Sequence, residues 1–471
     1  MLFLEKRSID LNIRRLFAAH NMTEGAPWKR LLEFSIPMLI GNFAQQLYNT
    51  VDSIVVGEYI GDLALSAVGS AAPILNLLLA LFVGVSTGAG IVVSQYYGAG
   101  AREKLSRAVG NCITLGFIAT VATMVIGVLI ARPMLTLLDT PATIYEWCAD
   151  YLTLYFLGAI GFTFYNILSG ILRGLGDSVS ALLFLLVSAG LNIVLDIWFV
   201  AGLKMGVPGV ALATVLAQGI SAVLCLLKLM RMRSVFDLTF PMLSLRKDVA
   251  LRIVKLGLPS GITQAIISVA MLTVQALTNS MGEMVIAAAV VIMRVDGFAM
   301  LPNLSFGQAM TVYTGQNVGA RRLDRVHEGT KQGLIMNVAI SAAITVIILI
   351  FGPFLFDLFT DTPELIELAT RMMRILAVGY VCMAVSQTLG GVMRGAGDTM
   401  TPMWISLITT IIVRVPLAYT LAHFTACAEW PNGRPEALWG SLFICWALGA
   451  VIHVLFYRRG KWKRKAEISM Q

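Results

Sequence analysis

The chain has 471 residues, of which 57% are hydrophobic and only 13% are charged, and its mean hydropathy is +0.79. Soluble proteins carry about 25% charged residues, so this composition excludes a soluble globular protein as well as a disordered or collagen-like chain. The six cysteines are scattered without a Cys-x-x-Cys pair, which argues against a zinc site or a disulfide framework. The remaining class is an integral membrane protein with many spans.

Twelve apolar runs are long enough to cross a bilayer as helices, which takes about 20 residues each. Their continuous hydrophobicity favours helices over the alternating segments of a membrane barrel. The sequence therefore predicts an all-α integral membrane protein. The predicted spans are 33–57, 67–94, 108–131, 150–171, 179–201, 207–229, 253–280, 284–313, 332–352, 366–392, 401–424 and 437–457.

The basic residues predict the orientation. With the N-terminus in the cytoplasm, 28 of the 35 Lys and Arg residues lie on or near the cytoplasmic side, five lie on or near the other side, and two lie deep within spans. This bias predicts a multi-pass protein of the cell (inner or plasma) membrane with both termini in the cytoplasm. Residues 1–30 are charged and have no apolar segment, which favours a cytoplasmic tail over a signal peptide. The net charge of +8 then reflects contact with anionic lipid, so we expect no nucleic-acid partner.

Four blocks of sequence recur at an offset of 221 or 222 residues, which indicates an internal duplication of six spans. Two repeats of six spans have the same orientation, and such parallel repeats are typical of alternating-access transporters. The matched blocks are 31–42 with 253–264, 94–100 with 315–321, 138–144 with 360–366, and 168–182 with 389–403.

The last of these blocks contains an Arg-Gly-x-Gly-Asp motif in each half, at Arg173–Asp177 and Arg394–Asp398. Its glycines allow a tight turn, and its Arg and Asp could pair, so we expect a turn between helices, with a gating role as the alternative. The predicted organisation is a cytoplasmic tail, a first six-helix lobe, a cytoplasmic linker, a second six-helix lobe and a basic cytoplasmic tail. The corresponding residues are 1–30, 31–230, 231–252, 253–457 and 458–471.

Charged residues inside spans are costly, by at least about 2.5–3.5 kcal/mol each on insertion scales, and mark candidate functional positions. Asp52 in span 1 shares a helix face with Tyr48 and Gln45, and Asp196 in span 5 shares one with Asn192. Together with Thr214 in span 6 they offer hard oxygen ligands for an alkali cation, and a carboxylate beside another carboxylate can also carry a proton. The open alternatives are an Asp52 hydrated from outside, a structural hydrogen bond at Asp196, and helix–helix hydrogen bonds for Asn192 and Thr214.

The second half carries Asp296 and Arg294 in span 8 and Arg414 in span 11. Asp296 and Arg294 are two residues apart and do not face each other, so Arg414 is the expected partner of Asp296. We predict a buried polar pair that stabilises the second lobe, with a coupling or substrate role as the alternative. Arg414 aligns with Asn192 at the offset of 222, so the halves differ chemically at this point.

The stretch YNTVDSIVVGEYIGDLALSAVGSAAPI at 48–74, the Gln-x-x-Gly-Ala at 95–99 and 316–320 and the repeated Arg-Gly-x-Gly-Asp motifs resemble the multidrug and toxic compound extrusion (MATE) family of antiporters. The resemblance covers about residues 30–457. It implies two six-helix lobes in a V and export of organic cations and other amphipathic compounds in exchange for Na⁺ or H⁺. It implies no enzymatic activity, no cofactor and no metal beyond Na⁺, and a phosphate-binding loop for ATP is absent from the sequence.

In DinF-type and archaeal members of that family, the cation site uses an Asp on span 1, an Asn and an Asp on span 5, and a Thr on span 6. By this resemblance Asp52, Asn192, Asp196 and Thr214 are the expected cation ligands, with Gln45, Tyr48 and Asn49 lining a substrate cavity. NorM-type members add acids on spans 7 and 10, where this chain has Ile267 in span 7 and, beyond Glu367 at the first turn, no acid inside span 10. The expected partners are small organic molecules and the bilayer, and the expected state is a monomer.

Three other functions remain as alternatives. A flippase for a lipid-linked saccharide needs several cationic residues in its cavity, and only Arg294 and Arg414 lie deep within spans. A membrane enzyme needs clustered Asp or His in the outer loops, which show only scattered acids such as Asp139, Asp361 and Glu364. A passive channel is disfavoured because the two duplicated halves hold unlike charges.

Overall fold

The structure is a computed structural model that describes residues 21–137 and 140–470. Within these ranges it does not describe the side chains of residues 62, 65, 72–73, 76–79, 81 and 469–470. Most of the predicted N-terminal tail and Asp139 therefore lie outside the described residues.

The described chain is helical throughout the predicted spans. The helices of the first half are α1 (Pro27–Tyr59), α2 (Asp62–Gly98), α3 (Arg102–Leu137), α4 (Ala142–Leu157), α5 (Ala159–Gly174), α6 (Ser178–Asp196) and α7 (Val207–Arg231). Those of the second half are α8 (Lys247–Ser280), α9 (Glu283–Ala299), α10 (Leu301–Gly319), α11 (Leu323–Asp357), α12 (Pro363–Gly395), α13 (Met400–Leu407), α14 (Arg414–Phe424), α15 (Glu436–Arg459) and α16 (Lys461–Met470).

Several predicted spans are interrupted helices. Helices α4 and α5 form one span with a bend of 51°, and α9 and α10 meet at a break before Pro302. A π-helical turn, Ile197–Gly202, follows α6, and a second one, Ile408–Val413, joins α13 to α14. Such turns leave backbone carbonyls out of the regular ladder and occur often at functional sites.

Among the described residues, nine helical segments are long and apolar enough to cross a membrane, and the bent pair adds a tenth. Helices α1 and α2, with 33 and 37 residues, complete twelve long helical segments in the order of the predicted spans. The predicted all-α membrane fold is confirmed.

The chain divides into two compact units. The first contains residues 21–25 and 32–261, and the second contains residues 26–31 and 262–470 of the described chain. The division therefore falls near the start of α1 and near the middle of α8, rather than in the polar linker where the sequence predicted it. Each unit has its own buried apolar core, built mainly from α2 to α7 in the first and from α9 to α15 in the second.

Paired glycines let two helices of the first unit touch through their backbones. A Cβ atom at Gly170 of α5 would lie 2.9 Å from the carbonyl oxygen of Ser86 on α2, and one at Gly174 would lie 2.7 Å from that of Gly90. No side chain fits at either position without a shift of the backbone. Small residues four apart are a usual means of close helix packing in membranes.

The second unit repeats this crossing at the same offset of 221. A Cβ atom at Gly391 of α12 would lie 2.4 Å from the carbonyl oxygen of Gly307 on α10, and one at Gly395 would lie 2.3 Å from that of Thr311. The two glycines belong to the repeated block at 389–403, so close helix contact gives that block a structural reason in both halves.

The Arg-Gly-x-Gly-Asp motifs form tight turns after these crossings, but the predicted Arg–Asp pairing is wrong for the first motif. Gly176 and Gly397 have φ angles of +86° and +91°, which glycine adopts without strain. Asp177 caps α6 by accepting hydrogen bonds from the backbone N–H of Ser180 at 2.9 Å and from its hydroxyl at 2.7 Å. Its ion pair is with Lys228, at 3.5 Å, and not with Arg173.

The second motif also departs from the predicted Arg–Asp pairing. Asp398 accepts a hydrogen bond from the Thr401 hydroxyl at 2.8 Å, and among the described residues no ion pair joins it to Arg394. The carboxylate thus serves the start of α13, as its counterpart serves the start of α6.

The linker is shorter than predicted and is bound along α3. It runs from residue 232 to 246, because α8 begins at Lys247. The Arg102 guanidinium binds both carboxylate oxygens of Asp237 at 2.9 Å, and this pairing holds the pKa of Asp237 below its usual value. One and three turns further along α3, Ser106 accepts from the Asp237 N–H at 2.8 Å and Thr114 donates to the Leu243 carbonyl at 2.6 Å.

The predicted basic tail continues as helix α16. Gly460, with a φ of +69°, ends α15 and turns the chain. Trp462 is 1% exposed, stacks on Tyr457 with ring centroids 5.3 Å apart, and meets the edge of His327 at 5.5 Å. Burial of Trp462 and Ala466 on one face explains why this charged segment is ordered against the second unit.

The glycine crossing predicts a marked difference between two Gly→Ala substitutions. In Gly395→Ala the new methyl group meets a rigid carbonyl, so we expect a loss of about 1–3 kcal/mol in the free energy of unfolding, as for overpacked cores. Gly440→Ala in α15 is the matched control, since no atom lies within 4 Å of its added Cβ. Thermal unfolding of the purified proteins in detergent measures both, and equal unfolding temperatures would contradict the crossing.

Candidate functional site

The carboxylate of Asp196 lies at the junction of α6 and its π-helical turn. It is the last residue of α6, and it is 1% exposed. Asn192, one turn earlier on the same face, is also 1% exposed, and Thr214 of α7 is 8% exposed. The structure therefore brings together Asn192, Asp196 and Thr214, three of the four expected cation ligands.

The Asn192 amide bridges the other two side chains. With its nitrogen toward Asp196, it donates to Oδ2 at 2.7 Å, and its oxygen accepts from the hydroxyl and the backbone N–H of Thr214, each at 3.2 Å. This orientation fits an ionised Asp196, because a carboxylate can only accept hydrogen bonds. In the opposite orientation Nδ2 donates to the Thr214 hydroxyl and the amide oxygen faces Asp196, which requires a protonated carboxyl group. The amide can thus accommodate either charge state of Asp196.

Helix α1 brings the second carboxylate to this group. Asp52 is partly buried, and its carboxyl group is close enough to that of Asp196 for the two groups to interact. One turn earlier, the side chain of Tyr48 lies near that of Thr214. Three helices, α1, α6 and α7, therefore converge on one polar centre, which we call the carboxylate site (Asp52, Asn192, Asp196 and Thr214).

The carboxylate site has more acceptors than donors. Oδ1 of Asp52 and Oδ1 of Asp196 are both buried, and neither has a hydrogen-bond partner among the described residues. Two ionised carboxylates in contact repel each other, and each buried charge without a partner is costly. A bound cation or a shared proton removes both penalties. Carboxylate, amide and hydroxyl oxygens are the ligands that hard cations prefer.

Two tyrosines that the sequence analysis did not single out surround this site. Tyr151 and Tyr155 lie one turn apart on α4, both buried, with ring centroids 6.1 Å apart, and both experience the charge of Asp52. Gln218, one turn beyond Thr214 on α7, is buried with its Oε1 atom unpartnered in the described structure. Polar residues spaced four apart in an apolar span were the available signal for all three.

The three residues predicted to line a substrate cavity all lie on α1 but have different surroundings. Gln45 donates to Asn49 through Nε2 at 3.4 Å, and Asn49 is exposed, whereas Tyr48 reaches the carboxylate site.

In the second unit the Asp296 carboxylate bonds to a tyrosine rather than to the predicted arginine. The Tyr380 hydroxyl donates to Oδ1 of Asp296 at 2.9 Å, and no ion pair joins Asp296 to Arg414 in the described structure. Arg414 is still near enough for its charge to act on Asp296. Tyr380 is fully buried on α12, and its hydroxyl needs an acceptor, which explains why it takes the carboxylate. Arg294 is exposed and belongs to neither group.

The surplus of acceptors predicts that Asp196→Asn stabilises the fold. The amide supplies a donor and removes one of the two facing charges, so in Na⁺-free buffer at pH 8 we expect the unfolding temperature to rise. An increase of about 2–4 °C corresponds to roughly 1 kcal/mol in a domain of this size. Asp177→Asn is the control, because that carboxylate caps α6 and pairs with Lys228, and its loss should lower the unfolding temperature. A comparable decrease in both variants would show that Asp196 is only a structural partner.

Comparison with known proteins agrees with this architecture. The sequence model of the MatE family matches residues 37–198 and 259–420, two segments of equal length at the offset of 222. The chain is 29% identical over 449 residues to the probable multidrug resistance protein YoeA of Bacillus subtilis, covering 93% of this chain and 95% of that protein. It is 28% identical over 445 residues to the probable multidrug resistance protein YpnP of the same organism, covering 94% and 98%.

Among solved structures, one described as MATE in complex with MaL6 superposes with a TM-score of 0.88 at 25% identity, covering 95% of this chain and 99% of that chain. The family match covers more than half of the chain, and the structural match extends over both six-helix halves. The chain therefore belongs to the MatE family and is a membrane transporter rather than an enzyme.

Proposed function

We propose that this protein is a cation-coupled exporter of drugs and other amphipathic organic compounds that works by alternating access. Relatives described as multidrug resistance proteins support the substrate class. The duplicated six-helix halves support alternating access. The observation that carries the proposed coupling is the carboxylate site, in which Asp52 and Asp196 face each other with buried oxygens that no described residue satisfies.

Na⁺ or H⁺ is the proposed driving ion, since either one neutralises the repulsion in that site. Sodium would be held by the oxygens of Asp52, Asn192, Asp196 and Thr214. A proton would be shared by the two carboxyl groups while Asn192 adopts the matching amide orientation. In both cases the charge of the site changes by one unit. Because Asp52 lies on a different helix from the other three ligands, binding draws α1 toward α6 and α7, and release weakens that contact.

A position on α1 couples the ion to the exported molecule. Tyr48 lies near Thr214, and Gln45 and Asn49 lie within one turn of Tyr48. We therefore propose that these three residues border the substrate cavity, so that a shift of α1 alters substrate and ion contacts together. The proposal includes cationic or amphipathic substrates, a monomer in the cell membrane, cytoplasmic termini, and no cofactor beyond the coupling ion.

A flippase for a lipid-linked saccharide is the second candidate. A pyrophosphate-linked substrate needs several cationic groups together, whereas Arg294 is exposed and Arg414 has Asp296 within range of its charge. These positions favour the drug exporter.

Ethidium efflux from proteoliposomes tests the proposed coupling. With an imposed Na⁺ gradient in one experiment and an imposed pH gradient in another, we expect efflux under one of them. Asp52→Asn and Asp196→Asn should each lower that gradient-driven rate at least about tenfold, because a residue that binds the ion only through its charge loses that role with the charge.

Glu103→Gln is the matched control, since Glu103 is an exposed acid at the start of α3 and should leave the rate unchanged. Full efflux in both site variants would contradict the role of the carboxylate site. Absence of efflux under either gradient from folded wild-type protein would favour the flippase.

A further inference from the structure

Arg414 carries a charge that the second unit does not compensate by direct contact. It is the first residue of α14, directly after the π-helical turn Ile408–Val413, and it is only partly exposed. Its Nε atom is buried without a hydrogen-bond partner, and no described residue accepts a hydrogen bond from its guanidinium group. A guanidinium is permanently charged and has five N–H donors, so leaving it without an acceptor in an apolar lobe is costly.

The nearest acid is already engaged. Tyr380 donates to Oδ1 of Asp296 at 2.9 Å, and Asp296 acts on Arg414 only through its charge. The Tyr380 ring also packs against Trp446, with ring centroids 5.9 Å apart. The neighbouring residue Cys445 lies within range of the charge of Arg414. The guanidinium therefore lies within range of an acid that is bound by one member of an aromatic pair, and it has no ion-pair partner among the described residues.

The duplication shows how this position differs from the carboxylate site. At the offset of 222, Asp52 and Asp196 correspond to Val274 and Ala418, and Asn192 corresponds to Arg414. Both carboxylates have been replaced by apolar residues, and the bridging amide has been replaced by a cation. The second unit thus has a cation where the first has the carboxylate site, and a cation attracts a ligand with a negative group.

We propose that Arg414 binds the carboxylate of a zwitterionic amphipathic substrate. A guanidinium and a carboxylate form two parallel charge-assisted hydrogen bonds, the geometry that arginine favours. A single guanidinium with Asp296 nearby suits a monoanion better than a doubly charged phosphate. Asp296 favours a cationic group on the same molecule, and the partly exposed Trp446 suits an aromatic body. This inference rests on the proposed export of amphipathic compounds and specifies a subclass of them.

Two rhodamine dyes that differ in one group test the proposal. Rhodamine B has a carboxylate and a delocalised cation, whereas its ethyl ester keeps the cation without the acid. Binding to the purified full-length protein in detergent is measured by fluorescence anisotropy, with no ion gradient. We expect Arg414→Gln to weaken rhodamine B binding by about tenfold or more, as for loss of a charge-assisted hydrogen bond, and to change binding of the ester less than about twofold.

Arg294→Gln is the matched control, because this arginine is exposed on α9, and neither dye should lose affinity. Arg414→Lys keeps the charge but loses the bidentate geometry, so it should bind rhodamine B with intermediate affinity, and it replaces the Gln variant if that variant does not fold. Equal weakening of both dyes by Arg414→Gln would show a structural role and overturn the proposal. So would a wild-type protein that binds both dyes alike or binds neither.

The two proposals fail in different experiments. Loss of gradient-driven ethidium efflux concerns the coupling at the carboxylate site and leaves the dye comparison intact, since ethidium has no carboxylate. Unchanged rhodamine B affinity in Arg414→Gln, with normal ethidium efflux, would refute only the site at Arg414.

Discussion

Close backbone contact at paired glycines sets the position of both polar groups described above. In the first unit Gly170 and Gly174 hold α5 against α2, and the chain then turns at Gly176 into the Asp177 cap of α6. The cap fixes where α6 begins, and a helix of 19 residues with a fixed start places its last residue, Asp196, at a fixed depth. The carboxylate site therefore depends on a contact more than four helical turns away.

The same sequence of steps operates in the second unit with a different result. Gly391 and Gly395 hold α12 against α10, Gly397 turns the chain, and Asp398 accepts a hydrogen bond at the start of α13. The chain that follows leads through a π-helical turn to Arg414, whereas in the first unit the π-helical turn follows Asp196. The shared scaffold thus presents a carboxylate in one half and a guanidinium in the other.

The sequence predicted the parts of this structure that depend on periodicity and composition. The twelve apolar runs predicted the helical segments, and the offset of 221 or 222 residues predicted the duplication. Both patterns extend over long stretches of sequence, so single residues do not change them. The grouping of Asn192 with Asp196 followed from their spacing of four. The exact starts of helices were less predictable: α3 begins at Arg102 rather than near 108, since charged helical turns extend beyond the apolar part of a span.

Contacts between distant helices could not be read from the sequence in the same way. Arg414 was the expected partner of Asp296, yet a neutral hydroxyl from Tyr380 binds the carboxylate. Opposite charges attract, but helix packing decides which side chains come within reach of each other. A buried tyrosine hydroxyl needs an acceptor and therefore competes for any carboxylate within reach. Because Tyr380 binds the carboxylate, the guanidinium of Arg414 keeps its donors for another acceptor. The residue that disproves the predicted pair is thus the one that gives Arg414 the capacity to bind a ligand.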